Sequence, residues 1–92
     1  MDANTAEKWL KRLSNVPEEE YDKQAALTLE AISMIEEPLL EEIAINRYIY
    51  RRKWLDIAGD AFISKSTIYR YRTKIIAKMA KIIRKEGYVY EG

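Results

Sequence analysis

Apolar residues recur along this chain at helical spacing, and the pattern breaks where proline or a capping residue sits. Ala6, Trp9, Leu10 and Leu13 share one face of an amphipathic helix over about residues 5–14, with Asn4 and Glu7 spaced as a capping pair. Ser14-Asn15-Val16-Pro17 reads as a stop and a restart. Pro17 suits the first turn of the next helix, and Glu18, Glu19 and Glu20 place negative charge at its positive end. That second helix is predicted to reach Glu37, with Tyr21, Ala25, Leu29, Ile32 and Ile35 as its main stripe. Leu27 and Met34 lie on the opposite side, which marks them as candidate dimerisation residues. Pro38 begins a third helix over about 38–51, with Leu39, Leu40, Ile43, Ile45 and Tyr48 among its apolar positions.

From Trp54 onward the spacing changes. Trp54, Ile57, Ala58 and Ala61 suit a short helix, and Phe62-Ile63 a turn. Ser64 reads as an N-cap, with Ile63 and Ile68 placed as a hydrophobic staple across it. A long helix follows over about 65–85. At 100° per residue Ile68, Tyr71, Ile75, Met79 and Ile82 fall within an arc of about 80°. Ser66, Tyr69, Arg70, Thr73 and Ala77 occupy the opposite arc. Ile76 and Ile83 lie to one side of the main stripe, where the N-terminal helices or a second subunit could meet them; both join the dimerisation candidates.

Composition narrows the chemistry. The 92 residues include neither cysteine nor histidine, which removes disulfides, thiolate sites, the usual zinc ligand and the usual general base. Paired carboxylates such as Glu36/Glu37 and Glu41/Glu42 are neighbours on a helix, so they diverge by about 100° and do not form an acid/base pair. No catalytic residue, metal ligand or cofactor is therefore expected. No apolar run approaches the ~20 residues of a membrane span, and Met1-Asp2-Ala3-Asn4 shows no signal-peptide pattern.

Charge is divided unequally. Residues 1–46 hold four Lys/Arg and eleven Asp/Glu, net −7; residues 47–92 hold twelve and four, net +8. The last helix carries eight Lys/Arg and no acid between residues 65 and 85. Burying so positive a helix without counter-charge is costly, so much of it must face water or phosphate. Ser66, Tyr69, Arg70 and Thr73 are the types that reach base edges in a major groove, and become the candidate base-reading set. Arg51, Arg52, Lys53, Thr67, Arg72, Lys74 and Lys78 are candidate phosphate contacts.

The stretch Arg47-Tyr48-Ile49, Lys53-Trp54-Leu55-Asp56-Ile57-Ala58 and Ile63-Ser64-Lys65-Ser66-Thr67-Ile68-Tyr69-Arg70-Tyr71-Arg72 resembles the region-four DNA-binding domain of bacterial sigma factors. Among stand-alone proteins it is most similar to the ArpU/RinA-like phage regulators, small sigma-like proteins implicated in switching on late genes. The likeness covers about residues 38–83. It implies base-reaching roles for Lys65, Ser66, Tyr69 and Arg70, with Ser64 as the cap. The turn position often held by Gly or Asn in such proteins is Phe62 here, and Gly59 comes three residues earlier. A bulky residue in the left-handed region costs about 1–2 kcal/mol, so a longer or differently shaped turn is expected.

The expected fold is all-α: a small domain of about five helices with a C-terminal helix-turn-helix and a long recognition helix. Residues 1–37 would supply dimerisation or partner contact, 38–86 the helix-turn-helix and 87–92 a tail, in one compact unit. The expected function is sequence-specific binding of double-stranded DNA in transcription regulation, of the phage or prophage late-gene kind, in the cytoplasm of a bacterial host. RNA polymerase and a second copy of the chain are candidate partners. The alternatives are a small terminase-like subunit that recognises packaging DNA, or a helical adaptor or anti-repressor acting by protein–protein contact.

Overall fold

A computed structural model describes residues 3–87, and among them every regular element is helical. The order is α1 (Ala3–Asn15), a single 3-10 turn (Glu18–Glu20), α2 (Lys23–Ser33), α3 (Pro38–Ala44) running on into a π-helical turn (Ile45–Ile49), α4 (Trp54–Asp60) and α5 (Lys65–Lys85). The expected tail over 87–92 lies, from residue 88 on, outside the described residues.

The core gathers around α5, which meets α1, α2, α3 and α4. Trp9, Leu10 and Leu13 of α1 pack against Ile75, Met79 and Ile83 of α5, with Ile32, Leu40, Ile43 and Tyr48 closing the sides. Ile57 and Ala58 of α4 and Ile68 of α5 form its far end. The buried arc of α5 is not constant. In its C-terminal half Ile75, Ile76, Met79, Ala80 and Ile83 are all buried; over Lys65–Arg72 only Ile68 is. The first turns of α5 therefore stand out from the body of the protein, held from one side.

Several sequence expectations are corrected. The second helix does not run from Pro17 to Glu37. Glu18–Glu20 form a single 3-10 turn, and the helix restarts at Asp22, whose carboxylate accepts the Ala25 backbone N–H at 3.0 Å. It ends at Ser33; Glu36 turns left-handed at φ 62°, and Pro38 holds Glu37 extended. Asn4 lies inside α1 and not at its cap, so Glu7 is free for other partners. The third helix runs from Pro38 to Ile49, close to the expected 38–51, but its last turn is π-helical, with the Tyr50 N–H on the Ile45 carbonyl at 3.0 Å and Arg51 left-handed at φ 61°. Ile76 and Ile83, 8% and 1% exposed, are buried in the core of the chain itself, so of the two partners the sequence left open for them they meet the chain's own helices and not a second subunit. Leu27 is half-buried against that same core, and Met34 is half-buried at the end of α2.

Asp22 also ties α1 to α2. Its carboxylate accepts two bonds from Arg12, at 3.0 and 2.6 Å. Arg12 foremost, and the Ala25 N–H after it, hold the Asp22 carboxyl below its ordinary 3.8. Glu7 is likewise held below 4.5, first by Lys11 and further by Arg72. A carboxyl with a depressed folded pKa stabilises fully above its unfolded value, and the contribution is lost as pH falls towards the folded one. Thermal melting is expected to be level from neutral pH to about 5 and to decline below about 4.5. Asp22→Asn should remove part of that acid-side decline; an unchanged pH profile would count against the Arg12–Asp22 tie.

Candidate functional site

The α4–turn–α5 unit is built from local signals. At the end of α4 the Phe62 N–H reaches the Gly59 carbonyl at 3.2 Å and the Ile63 N–H reaches the Ala58 carbonyl at 3.0 Å. That paired closure is a Schellman turn, which needs a left-handed residue at the position Phe62 holds. Phe62 adopts φ 57° with its ring 96% exposed. The expectation of a longer or reshaped turn is thus corrected: the turn is of ordinary length and a phenylalanine accepts the strained conformation. Two hydrogen bonds and the half-buried Ile63 fix the backbone there whichever residue occupies the position.

Relief of that strain is measurable. Glycine would recover about 1–2 kcal/mol of left-handed cost, and its freer unfolded chain takes back about 0.4–1 kcal/mol. No packing is lost with so exposed a ring. Phe62→Gly is expected to raise the melting temperature by a few degrees in a calorimetric scan. A fall would show that the ring contributes to the folded state after all.

Ser64 caps α5. Its Oγ accepts the Thr67 N–H at 3.2 Å and donates to the Thr67 Oγ1 at 2.9 Å, while the Ser66 hydroxyl lies 3.1 Å away. Ile63 and the fully buried Ile68 flank the cap at staple spacing. Beyond it Lys65, Ser66, Tyr69, Arg70 and Thr73 are all exposed, in one stripe. At 1.5 Å per residue Lys65 to Thr73 spans about 12 Å. Neither Lys65 nor Arg70 has an ion-pair partner among the described residues. The Thr73 hydroxyl donates to the Tyr69 carbonyl at 3.1 Å and keeps its acceptor side outward.

The phosphate candidates divide. Lys53 is exposed just before α4, without an ion-pair partner among the described residues. Lys74 is exposed and stands 5.9 Å from the Tyr71 ring. The others have work inside the fold. Arg51 donates to the Val16 carbonyl, Arg52 pairs with Asp60 and reaches Asn46 Oδ1, and Lys78 pairs with Glu37 at 2.9 Å. Thr67 belongs to the Ser64 cap. Arg72 is ion-paired to Glu7, which joins α5 to α1 across 65 residues of sequence.

Arg47, which the sequence groups with Arg51, Arg52 and Lys53 in the basic cluster before α4, lies beside this stripe with Tyr48 and Trp54. The Arg47 guanidinium stands 5.4 Å from the centroid of Trp54, and Tyr48 meets the same indole edge-on at 5.9 Å. Burial pushes the Tyr48 phenol up to about 12, so it stays protonated at any ordinary pH. The i, i+4 spacing of Glu7 and Lys11 was visible in the sequence; their approach to Arg72 depends on how α1 docks.

Among the described residues no three metal-ligating side chains converge, and no helix is long and apolar enough to cross a membrane. Comparison with protein-family models, with curated proteins and with solved structures gives no match.

Proposed function

We propose that the protein binds double-stranded DNA by laying the first turns of α5 in the major groove, and that it acts as a transcription regulator. The observation that carries this reading is the stripe Lys65, Ser66, Tyr69, Arg70 and Thr73, exposed on the sparsely buried first turns of α5 and without an acid on its helix. A helix about 10–12 Å across fits a B-form major groove about 12 Å wide, with the stripe running along it. α4 braces the stripe from behind, as the first helix of a helix-turn-helix does when it crosses the backbone. Arg70 can read a guanine through paired donors, and Ser66, Tyr69 and Thr73 offer shorter polar contacts. Lys53, Lys65 and Lys74 supply phosphate attraction. The likeness to sigma region four and to phage late-gene regulators supports the choice of transcription over DNA packaging.

Fluorescence anisotropy with a labelled duplex across a salt series tests this. Affinity should fall with salt, with a log–log slope of about −0.9 per phosphate neutralised. Lys53→Ala is expected to make the slope shallower by about one phosphate without changing sequence preference. Absence of binding at low salt would refute the reading and favour the adaptor alternative.

A further inference from the structure

Beside the exposed stripe of α5 lies a small cavity of about 210 Å³ where α1, the π turn, α4 and α5 meet. Its walls carry three cations, Lys11, Arg47 and Arg72, against one carboxylate, Glu7. Glu7 is already shared between Lys11, at 3.3 Å, and Arg72. Its single charge cannot balance both and leaves nothing for Arg47. Among the described residues Arg47 has no carboxylate partner; one N–H donates to the Arg52 carbonyl at 3.0 Å. Its Nε–H is shut off from solvent with no acceptor at all. Beyond the face of Trp54 and that one carbonyl, no group among the described residues compensates this half-buried guanidinium, and an anion at its outward N–H groups would.

We propose that this cavity binds a phosphate group. Phosphate offers oxygen acceptors in several directions, which suits an arginine fork, a lysine and a tyrosine hydroxyl converging from separate elements. Tyr48, which lines the cavity beside Arg72, contributes that hydroxyl, a group able to donate to a phosphate oxygen. The net charge of the walls matches an anion. The volume equals that of about seven waters at about 30 Å³ each, enough for a phosphate group. Tyr69 lines the cavity and also stands in the exposed stripe of α5. A duplex seated on that stripe would bring its backbone to the mouth of the cavity. The ligand is then a backbone phosphodiester, if the DNA reading holds, or else a free phosphate anion.

The emission of Trp54, which lines the cavity, reports occupancy, since the other tryptophan, Trp9, is buried in the core. The full chain is titrated with inorganic phosphate against chloride at equal ionic strength, and separately with a labelled duplex. Lys11→Ala and Arg47→Lys are compared with the wild type; Lys8→Ala is an exposed control that matches Lys11→Ala in charge loss and helix, and Arg47→Lys keeps the charge while removing the fork. Lys11 is 65% exposed, so its removal leaves the fold intact; a melting curve checks Arg47→Lys. A saturable emission change, weakened several-fold in both cavity variants and not in Lys8→Ala, supports the site. Phosphate that also displaces the duplex identifies the phosphodiester; phosphate that binds without displacing it identifies the free anion. Duplex affinity lowered several-fold in both cavity variants but not in Lys8→Ala, with no response to free phosphate, also identifies the phosphodiester. No phosphate response, with duplex affinity equal in the cavity variants and the control but reduced in Arg70→Ala, overturns the cavity and spares the DNA reading. Phosphate binding with no duplex binding overturns the DNA reading and spares the cavity. Neither ligand binding overturns both.

Discussion

Ile68→Ala is expected to destabilise the protein by about 2–5 kcal/mol, the usual range for deleting a fully buried isoleucine to alanine. Ile68 is 0% exposed and is the one buried side chain over Lys65–Arg72. Small domains carry total stabilities of about 5–15 kcal/mol, so this one side chain holds a large share. The loss should also be local. Ile75, Ile76, Met79 and Ile83 still hold the C-terminal half of α5 against α1. Amide exchange should therefore quicken first over the Ser64 cap and the turns that follow it. Urea unfolding measures the total and exchange its distribution. A loss under about 1 kcal/mol, or uniform quickening, would contradict the one-sided support of this end of α5.

The double variant Lys65→Ala/Arg70→Ala is expected to lose most specific DNA affinity. Arg70 alone should account for about 1–3 kcal/mol and for preference at one base position. Both side chains are exposed and unpaired among the described residues, so folding stability should change by no more than about 0.5 kcal/mol. That separation matters. Arg72→Ala would also weaken binding, but through its pair with Glu7 it would loosen α1 from α5 at the same time. Anisotropy and melting curves on the same samples distinguish a lost contact from a lost fold. Unchanged affinity in the double variant would remove α5 as the reading element.

How much was legible in the sequence follows from how local each signal is. The Ser64 cap, the Ile63/Ile68 staple and the burial of Ile68, Ile75 and Met79 depend on spacings of three to seven residues and were readable, whereas Tyr71 and Ile82 of the same predicted stripe are only half-buried. The exposed set from Lys65 to Thr73 followed from the same periodicity. The start of α2 was not readable, because Glu18–Glu20 mimic a helix N-terminus while the working cap, Asp22, is held by Arg12 from another helix. Basic residues could be counted but not sorted. Arg51, Arg52, Arg72 and Lys78 look like Lys53 and Lys74 in sequence, and differ only in the acceptors that folding brings to them. Ile76 and Ile83 looked like a spare apolar edge because the buried arc of α5 widens along its length. Phe62 was misjudged in the other direction: two backbone hydrogen bonds outweigh a local penalty of about 1–2 kcal/mol.

The central claim is that the first turns of α5 meet DNA, and backbone amide shifts of isotope-labelled protein during titration with a short duplex test it most directly. The account predicts salt-sensitive shifts concentrated at Ser64–Thr73, with smaller ones at Lys53, and little change over α2 and α3. Shifts centred on α2 or α3, or none at low salt, would contradict it.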